Sequence, residues 1–330
     1  MKKSIHQAGV NPQPLLSRQA FKETAARFVF TLTACISILA VILICVFLFA
    51  NGIPGMAKIG VFDFLSGQKW KPGNETFGIL PFILGSIYVT AGALIVGVPA
   101  GLLTAIFMSR FASKKIVKII RPAVSLLAGI PSVVYGFFGL VVLVPLVREI
   151  FGGTGSSLLT ACILLGMMIL PTIITVSESA LNAVPSSYYE GALALGASHE
   201  RSVFHVVLPA AKSGVMAGVI LGIGRAIGEA TAVMMVAGNR TSMPKGLLKG
   251  VRTLTSNIVM EMGYAVDLHR EALIATAVVL FVFILIINVL TSILKRRSGK
   301  ARRVRAIVRN RRTKPTPEFS FGDGREGRNS

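Results

Sequence analysis

Six stretches of this chain stay apolar for about 20 residues or longer, the length that crosses roughly 30 Å of hydrocarbon, and no other feature constrains its fold as tightly. They fall at residues 28–50, 79–108, 122–146, 156–178, 213–237 and 271–294. Backbone immersed in lipid must satisfy its own hydrogen bonds, so these runs predict an all-α polytopic membrane protein with six transmembrane helices. Only 15% of the 330 residues are charged, against about a quarter in a soluble domain. The run at 28–50 is too long for a signal-peptide core and lacks a small-residue cleavage pattern, so it reads as a retained span. Pro81, Pro99, Pro122 and Pro131 predict tilts, kinks or breaks in the second and third spans.

A net charge of +21 invites a nucleic-acid reading, but the basic residues cluster beside the apolar runs and in the tails, where they set topology and meet anionic lipid. With six spans, 25 Lys and Arg fall on one side, nine on the other, and Arg225 lies within a span. The larger group takes in Lys2, Lys3, Arg110, Lys114, Lys115, Lys118, Arg121 and the tail from Lys295. Basic loops stay inside, so both termini are expected to be cytoplasmic. The expected organisation is a cytoplasmic tail over 1–27, a six-span domain over 28–296 and a basic, disordered cytoplasmic tail over 297–330.

The cytoplasmic loop at 184–209 is more than a connector. Pro185 and Ser186 can open a helix, Glu190 suits its early turns, and Gly196 can end it in a left-handed conformation. A second short helix then runs to Val207, and Pro209 leads into the fifth span. Such an amphipathic hairpin can dock into a groove on a soluble partner. The segment resembles the EAA loop of ATP-binding-cassette (ABC) importer permeases. Glu190, Gly191, Ala192, Gly196, Leu208 and Pro209 occupy its positions, with Gly191 where Ala is usual and Val206 where Ile is usual. The resemblance implies a type I importer permease (MetI-like) fold whose hairpin sits in a cleft of a separate ATPase.

The chain has no G-x-x-x-x-G-K-[ST] loop with which to cradle nucleotide phosphates, so it is expected to be non-catalytic and without a cofactor, ATP and Mg²⁺ being bound by that partner. The glycines of Gly222-Ile-Gly224-Arg-Ala-Ile-Gly228 read as close-packing positions between helices rather than a dinucleotide fingerprint.

The fifth span carries Arg225 and Glu229 near its middle, where a charge costs about 2.5–3.5 kcal/mol on insertion scales. Their i,i+4 spacing predicts a shared helix face and an ion pair. An Arg fork matches phosphate oxygens, and a carboxylate can orient the fork or accept a hydrogen bond from a protonated phosphate oxygen. The bland reading is a salt bridge that only locks spans together. Ser132 and Tyr135 offer hydroxyls beside the break expected at Pro131, although they can equally cap or pack. Thr172 and Thr231 are weaker candidates, because intramembrane Thr often bonds its own helix.

The run Leu221 to Asn239, the stretch Leu127-Ala-Gly-Ile-Pro131-Ser132-Val-Val-Tyr135-Gly136 and Ile169-Leu-Pro171-Thr172 resemble the phosphate-specific transport (Pst) permeases, the C-type subunit (PstC) more than the A-type. That resemblance implies inorganic phosphate as cargo, with Arg225 and Glu229 in its translocation. It implies a heterodimer with a PstA-like permease, two PstB-like ATPases, a PstS-like binding protein outside, and a bacterial inner-membrane location. A permease for sulfate, molybdate or phosphonate, or a stand-alone secondary transporter, remain the alternatives; the ATPase-docking hairpin argues against the last.

Trp70, the single Trp, is expected to anchor at the membrane interface. Arg240, Lys245, Lys249, Arg252, Glu261 and Asp267 in the last external loop read either as solvated charges or as an anion-attracting rim. Cys35, Cys45 and Cys162 lie in apolar runs and read as small buried hydrophobes. The four His show no metal-ligand spacing.

Overall fold

The computed structural model describes residues 13–312. Lys2, Lys3 and the tail beyond Arg312 lie outside the described residues. Six helices are long and apolar enough to cross a membrane. The first lies in α1 (Gln13–Ile59), whose exposed side chains between Phe28 and Phe47 are mostly aliphatic or aromatic. It leads through α2 (Val61–Ser66) to a hairpin of β1 (Trp70–Lys71) and β2 (Thr76–Phe77), in which Trp70 pairs with Phe77. This hairpin is the one sheet among the described residues, beside an isolated bridge between Gly238 and Val251.

The second span is α3 (Leu80–Ile106), ending in a π-helical turn at Phe107–Phe111. The third differs from expectation. The stretch Lys114–Gly129 forms a separate amphipathic helix, α4, and the chain breaks at Ile130–Pro131. The membrane-crossing segment runs from Ser132 to Phe151, as α5 (Ser132–Phe138), a π-turn and α6 (Val144–Phe151). Proline removes a backbone donor and pushes the preceding residue out of the helical region, which places the break at Pro131.

The fourth span, α7 (Leu158–Asn182), is the hub of the bundle. Its Cys162, Gly166 and Ile169 meet α3 so closely that a Cβ on Gly97 would fall 2.8 Å from the Gly166 carbonyl oxygen. Small residues let membrane helices approach in this way. The hairpin follows as α8 (Ser186–Ala194) and α9 (His199–Ser202). A π-turn at Val203–Val207 then leads into α10 (Leu208–Gly228). Two short helices, α11 (Thr231–Val236) and α12 (Leu254–Glu261), cap the opposite end of the bundle.

The last span opens α13 (Asp267–Arg312). It packs along α1, where a Cβ on Gly52 would meet Val278 at 2.6 Å, and Lys58 pairs with Glu271 at 2.7 Å. The helix continues to Arg312, so the tail expected to be disordered from Arg297 is helical that far. Lys, Arg and Ala are good helix formers, and the covalent run-on from an established helix removes the nucleation cost.

Two other expectations are corrected. Trp70 is 4% exposed, its Nε1–H donating to Glu261 Oε2 at 2.8 Å, so it is a core residue rather than a surface anchor. Cys162 is buried, but Cys35 faces outward and Cys45 is partly exposed; all three are free thiols.

Candidate functional site in the broken fifth span

The fifth span lies against α7 along Gly214, Gly218 and Gly222; a Cβ on Gly222 would stand 3.1 Å from Ile173. Gly224 and Gly228 behave differently, for a Cβ on either would meet nothing within 4 Å. The glycines expected to serve close packing are therefore divided, one at a helix contact and two beside open space flanking Arg225.

The helix stops at Gly228, and Glu229 is extended with φ −73° and ψ 119°. The i,i+4 argument for an Arg225–Glu229 pair needs a helix through both residues, and that condition fails by one position. No ion pair joins them among the described residues. Glu229 instead accepts the Ala232 backbone N–H at Oε1, 3.1 Å away, closing the first turn of α11. Its main-chain carbonyl accepts the Thr255 hydroxyl at 3.1 Å, so α12 braces the break from the far side. Arg225 Nη1 donates to Thr172 Oγ1 on α7 at 3.4 Å. A half-buried guanidinium in the last turn of α10, and not in the middle of its span as expected, thus has a hydroxyl for a partner and, among the described residues, no carboxylate. Thr172, weighted low on sequence grounds, is that partner. Nothing near Thr172 in the sequence announces Arg225, 53 residues away.

Tyr135 is buried and spans the break in the third segment, its hydroxyl donating to the Leu127 carbonyl oxygen at 3.0 Å. Ser132 stands at the first position of α5, half-buried. A Cβ on Gly136 would fall 2.5 Å from Met235 Sδ, so α5 lies hard against α11. The structure thus gathers the third-segment break, the fifth-span break and the middle of α7. An apolar cavity of about 390 Å³ lies beside them, lined by Leu127, Ile130, Val134, Tyr135, Phe138, Met167 and Leu170. Arg225 does not line it, and its apolar wall offers an anion nothing. Among the described residues no cluster of His, Cys, Asp or Glu is arranged to hold a metal.

At the other end of α7, the hairpin has the expected geometry. Gly196 takes φ +80°. The Ala197 N–H bonds the Ala192 carbonyl at 3.1 Å and the Gly196 N–H bonds that of Leu193 at 2.9 Å, the two bonds of a Schellman cap. Tyr189 and His199 share a 2.7 Å hydrogen bond that ties α8 to α9. Glu190 and Gly191 are exposed, Ala192 is half-buried, and Leu195 is 91% exposed. Leu208 and Pro209 open α10, as expected.

The loop at 239–270 divides. Arg240, Lys245 and Lys249 are exposed, as a solvated rim requires. Arg252 and Glu261 are buried, joined at 2.5 Å, and His269 Nε2 lies 2.9 Å from the second Glu261 oxygen.

Residues 97–300 match the family of binding-protein-dependent transport system inner membrane components. A probable ABC transporter permease of Bacillus subtilis, YqgH, is 39% identical over 86% of this chain and 96% of its own length. The phosphate transport system permease protein PstC of Mesorhizobium japonicum is 34% identical over 81% of this chain and 88% of its own. Among solved structures, a bacterial alginate ABC transporter in complex with its pentasaccharide-bound periplasmic protein gives a TM-score of 0.59 at 14% identity, covering 84% of this chain and 97% of that one. The MetNI methionine ABC transporter in an inward-facing conformation gives 0.52 at 20% identity, covering 67% and 94%. At such identities the structures share the fold alone.

Proposed function

The chain belongs to the family of inner membrane components of binding-protein-dependent transport systems, and we propose that it is the permease subunit through which an ATP-driven importer takes up inorganic phosphate. The observation that carries this is Arg225: a guanidinium held half-buried in the last turn of α10, opposite the middle of α7, with a hydroxyl partner and open space on either side. An uncompensated cation there is costly unless a pathway anion meets it. The planar fork suits the oxygens of a phosphate, and similarity to a protein named as a phosphate permease agrees with that cargo. Glu229, one helical turn away at the break, supplies a carboxylate to which a protonated phosphate oxygen can donate.

In this reading the chain itself hydrolyses nothing. A PstA-like permease completes the pathway, two PstB-like ATPases bind ATP and Mg²⁺ and grip the hairpin around Glu190, and a PstS-like protein delivers phosphate from outside. The termini and the hairpin face the cytoplasm of a bacterial inner membrane. The test is reconstitution of the co-purified complex in vesicles. Binding-protein-dependent phosphate uptake should require ATP and disappear when the ATPase subunits are omitted. Uptake by this chain alone, or ATP turnover stimulated by sulfate but not by phosphate, would overturn the assignment.

A further inference from the structure

The half of α7 nearer the hairpin is built unlike the rest of that helix. From Leu158 to Leu170 its only polar side chain besides Cys162 is the buried Thr160, but beyond Pro171 it carries Thr172, Thr175, Ser177, Glu178, Ser179 and Asn182. Thr172, Thr175, Ser179 and Asn182 recur at intervals of three and four, and so share one helix face. That face is uncovered: Thr175, Ser179 and Asn182 are exposed and Thr172 is half-buried. The Ser179 hydroxyl rests on the Thr175 carbonyl oxygen at 2.8 Å, and Asn182 Oδ1 accepts from Ser109 at 2.7 Å, which leaves the Asn182 amide nitrogen as a donor. Where α1 is exposed it shows Ile36, Leu39 and Leu43, the surface that lipid favours. A face of hydroxyl and amide side chains fits water and polar solutes instead.

Cations bracket this face. Arg225 holds Thr172 at one end. Glu178 lies six residues further along, about 9 Å at 1.5 Å per residue, and pairs with Arg121 of α4 at 2.5 Å. The Glu178 side chain is 9% exposed and that of Arg121 is 61% exposed. The carboxylate is therefore fixed in the wall, while most of the guanidinium reaches outward. Among the described residues Glu178 is the one partner of Arg121, and nearby Arg110 is occupied by the Leu181 carbonyl oxygen at 2.7 Å.

We propose that this face of α7, from Thr172 to Asn182, is the inner half of the anion pathway, and that Arg121, charge-compensated by Glu178, is its release station. The inference rests on the phosphate-permease reading. An anion leaving Arg225 needs a succession of weak donors and then a second cation, or it stalls. A fully available guanidinium at the exit would retain it. A conducting site must bind strongly enough to admit the ion and weakly enough to lose it. Glu178 supplies that weakness by competing with the anion for the Arg121 donors, so phosphate passes to the cytoplasm instead of accumulating at the mouth.

The assembled transporter in vesicles tests this, with wild-type uptake as the control; absent wild-type uptake defeats the functional reading, whereas the variants below address the exit alone. Glu178→Gln removes the competing charge. Initial uptake into empty vesicles should slow at least twofold, and phosphate preloaded inside should inhibit at a concentration at least fivefold lower. Unchanged inhibition by internal phosphate overturns the release station. If Glu178→Gln does not assemble, Thr175→Cys decides, in a Cys35→Ser, Cys45→Ser background with Cys162 retained because it is buried. A negatively charged, membrane-impermeant thiol reagent added to inside-out vesicles should label Thr175→Cys, and millimolar phosphate should slow labelling at least fivefold. A thiol that does not label, or that labels at a rate indifferent to phosphate, means that a partner subunit covers the face or that the anion runs elsewhere, and the inference falls.

Discussion

Glu229 Oε1 accepts the backbone N–H of Ala232 at 3.1 Å, so the carboxylate that follows the end of α10 closes the first turn of α11. The contact makes two roles separable. Glu229→Gln keeps an oxygen acceptor for the Ala232 N–H and removes the negative charge beside the proposed pathway. The complex should assemble and melt as wild type does, with phosphate uptake at least tenfold slower. Glu229→Ala also loses the cap, worth about 1 kcal/mol, and should lower the melting temperature as well. Normal uptake by the Gln variant would leave Glu229 as a helix cap and nothing more.

Arg225 reaches Thr172 through a single nitrogen at 3.4 Å, a long contact that leaves most of the fork available to an anion. Arg225→Gln should abolish uptake with assembly intact. Arg225→Lys should retain part of it, because a point charge attracts phosphate without matching it bidentately. Initial rates over a range of phosphate concentrations separate the cases: Lys raises KM with a residual maximal rate, whereas Gln gives no saturable uptake. Equal activity of the Lys and wild-type proteins would show that fork geometry is irrelevant.

The long-range architecture was legible in the sequence because run length and turn chemistry are local signals. Six apolar runs gave the six spans, and Gly196 takes the left-handed conformation that its position after α8 implied. The break near Pro131 was legible for the same reason. The start of the third span was not, because Lys114, Lys118 and Arg121 read as loop charges while Val117, Ile120 and Val124 were binding their helix to α7. The Arg225–Glu229 relation failed for a tertiary reason. Gly228 alone does not stop a helix, and what secures the stop is Thr255 donating to the Glu229 carbonyl from 26 residues away. Trp70 and Glu261 are 191 residues apart, and nothing near either announces the other.

Glu190 is exposed on α8, so reversing its charge has no folding cost to confuse the result. Glu190→Lys should insert and assemble with the other permease, yet fail to couple. The ATPase activity of the complex should no longer respond to phosphate-loaded binding protein, and uptake should fall at least tenfold. Uptake and stimulated ATP turnover both at wild-type levels would show that the hairpin does not transmit the stroke through this residue.

The buried cluster around Glu261 predicts a defect of stability. One of its oxygens accepts from Arg252 Nη1, and the other faces both Trp70 Nε1–H and His269 Nε2. In Glu261→Gln the new amide NH₂ must face either the guanidinium or the indole N–H, two donors opposed, whichever way the amide turns. Breaking a buried pair costs about 3–5 kcal/mol, so the melting temperature of the solubilised protein should fall by roughly 6–20 °C at about 2–4 °C per kcal/mol. Trp70→Phe is the milder change. It removes one donor to a carboxylate, worth about 1.5–3 kcal/mol, but keeps a ring against Phe77 and Phe82. The Phe variant should therefore melt between wild type and the Gln variant. Because β1, α12 and α13 all meet at this carboxylate, and α12 braces the break at Glu229, both variants should lose uptake on warming before they lose it at low temperature. A Gln variant that melted within a degree of wild type would mean that apolar packing, and not the buried charge, holds α12 over the pathway.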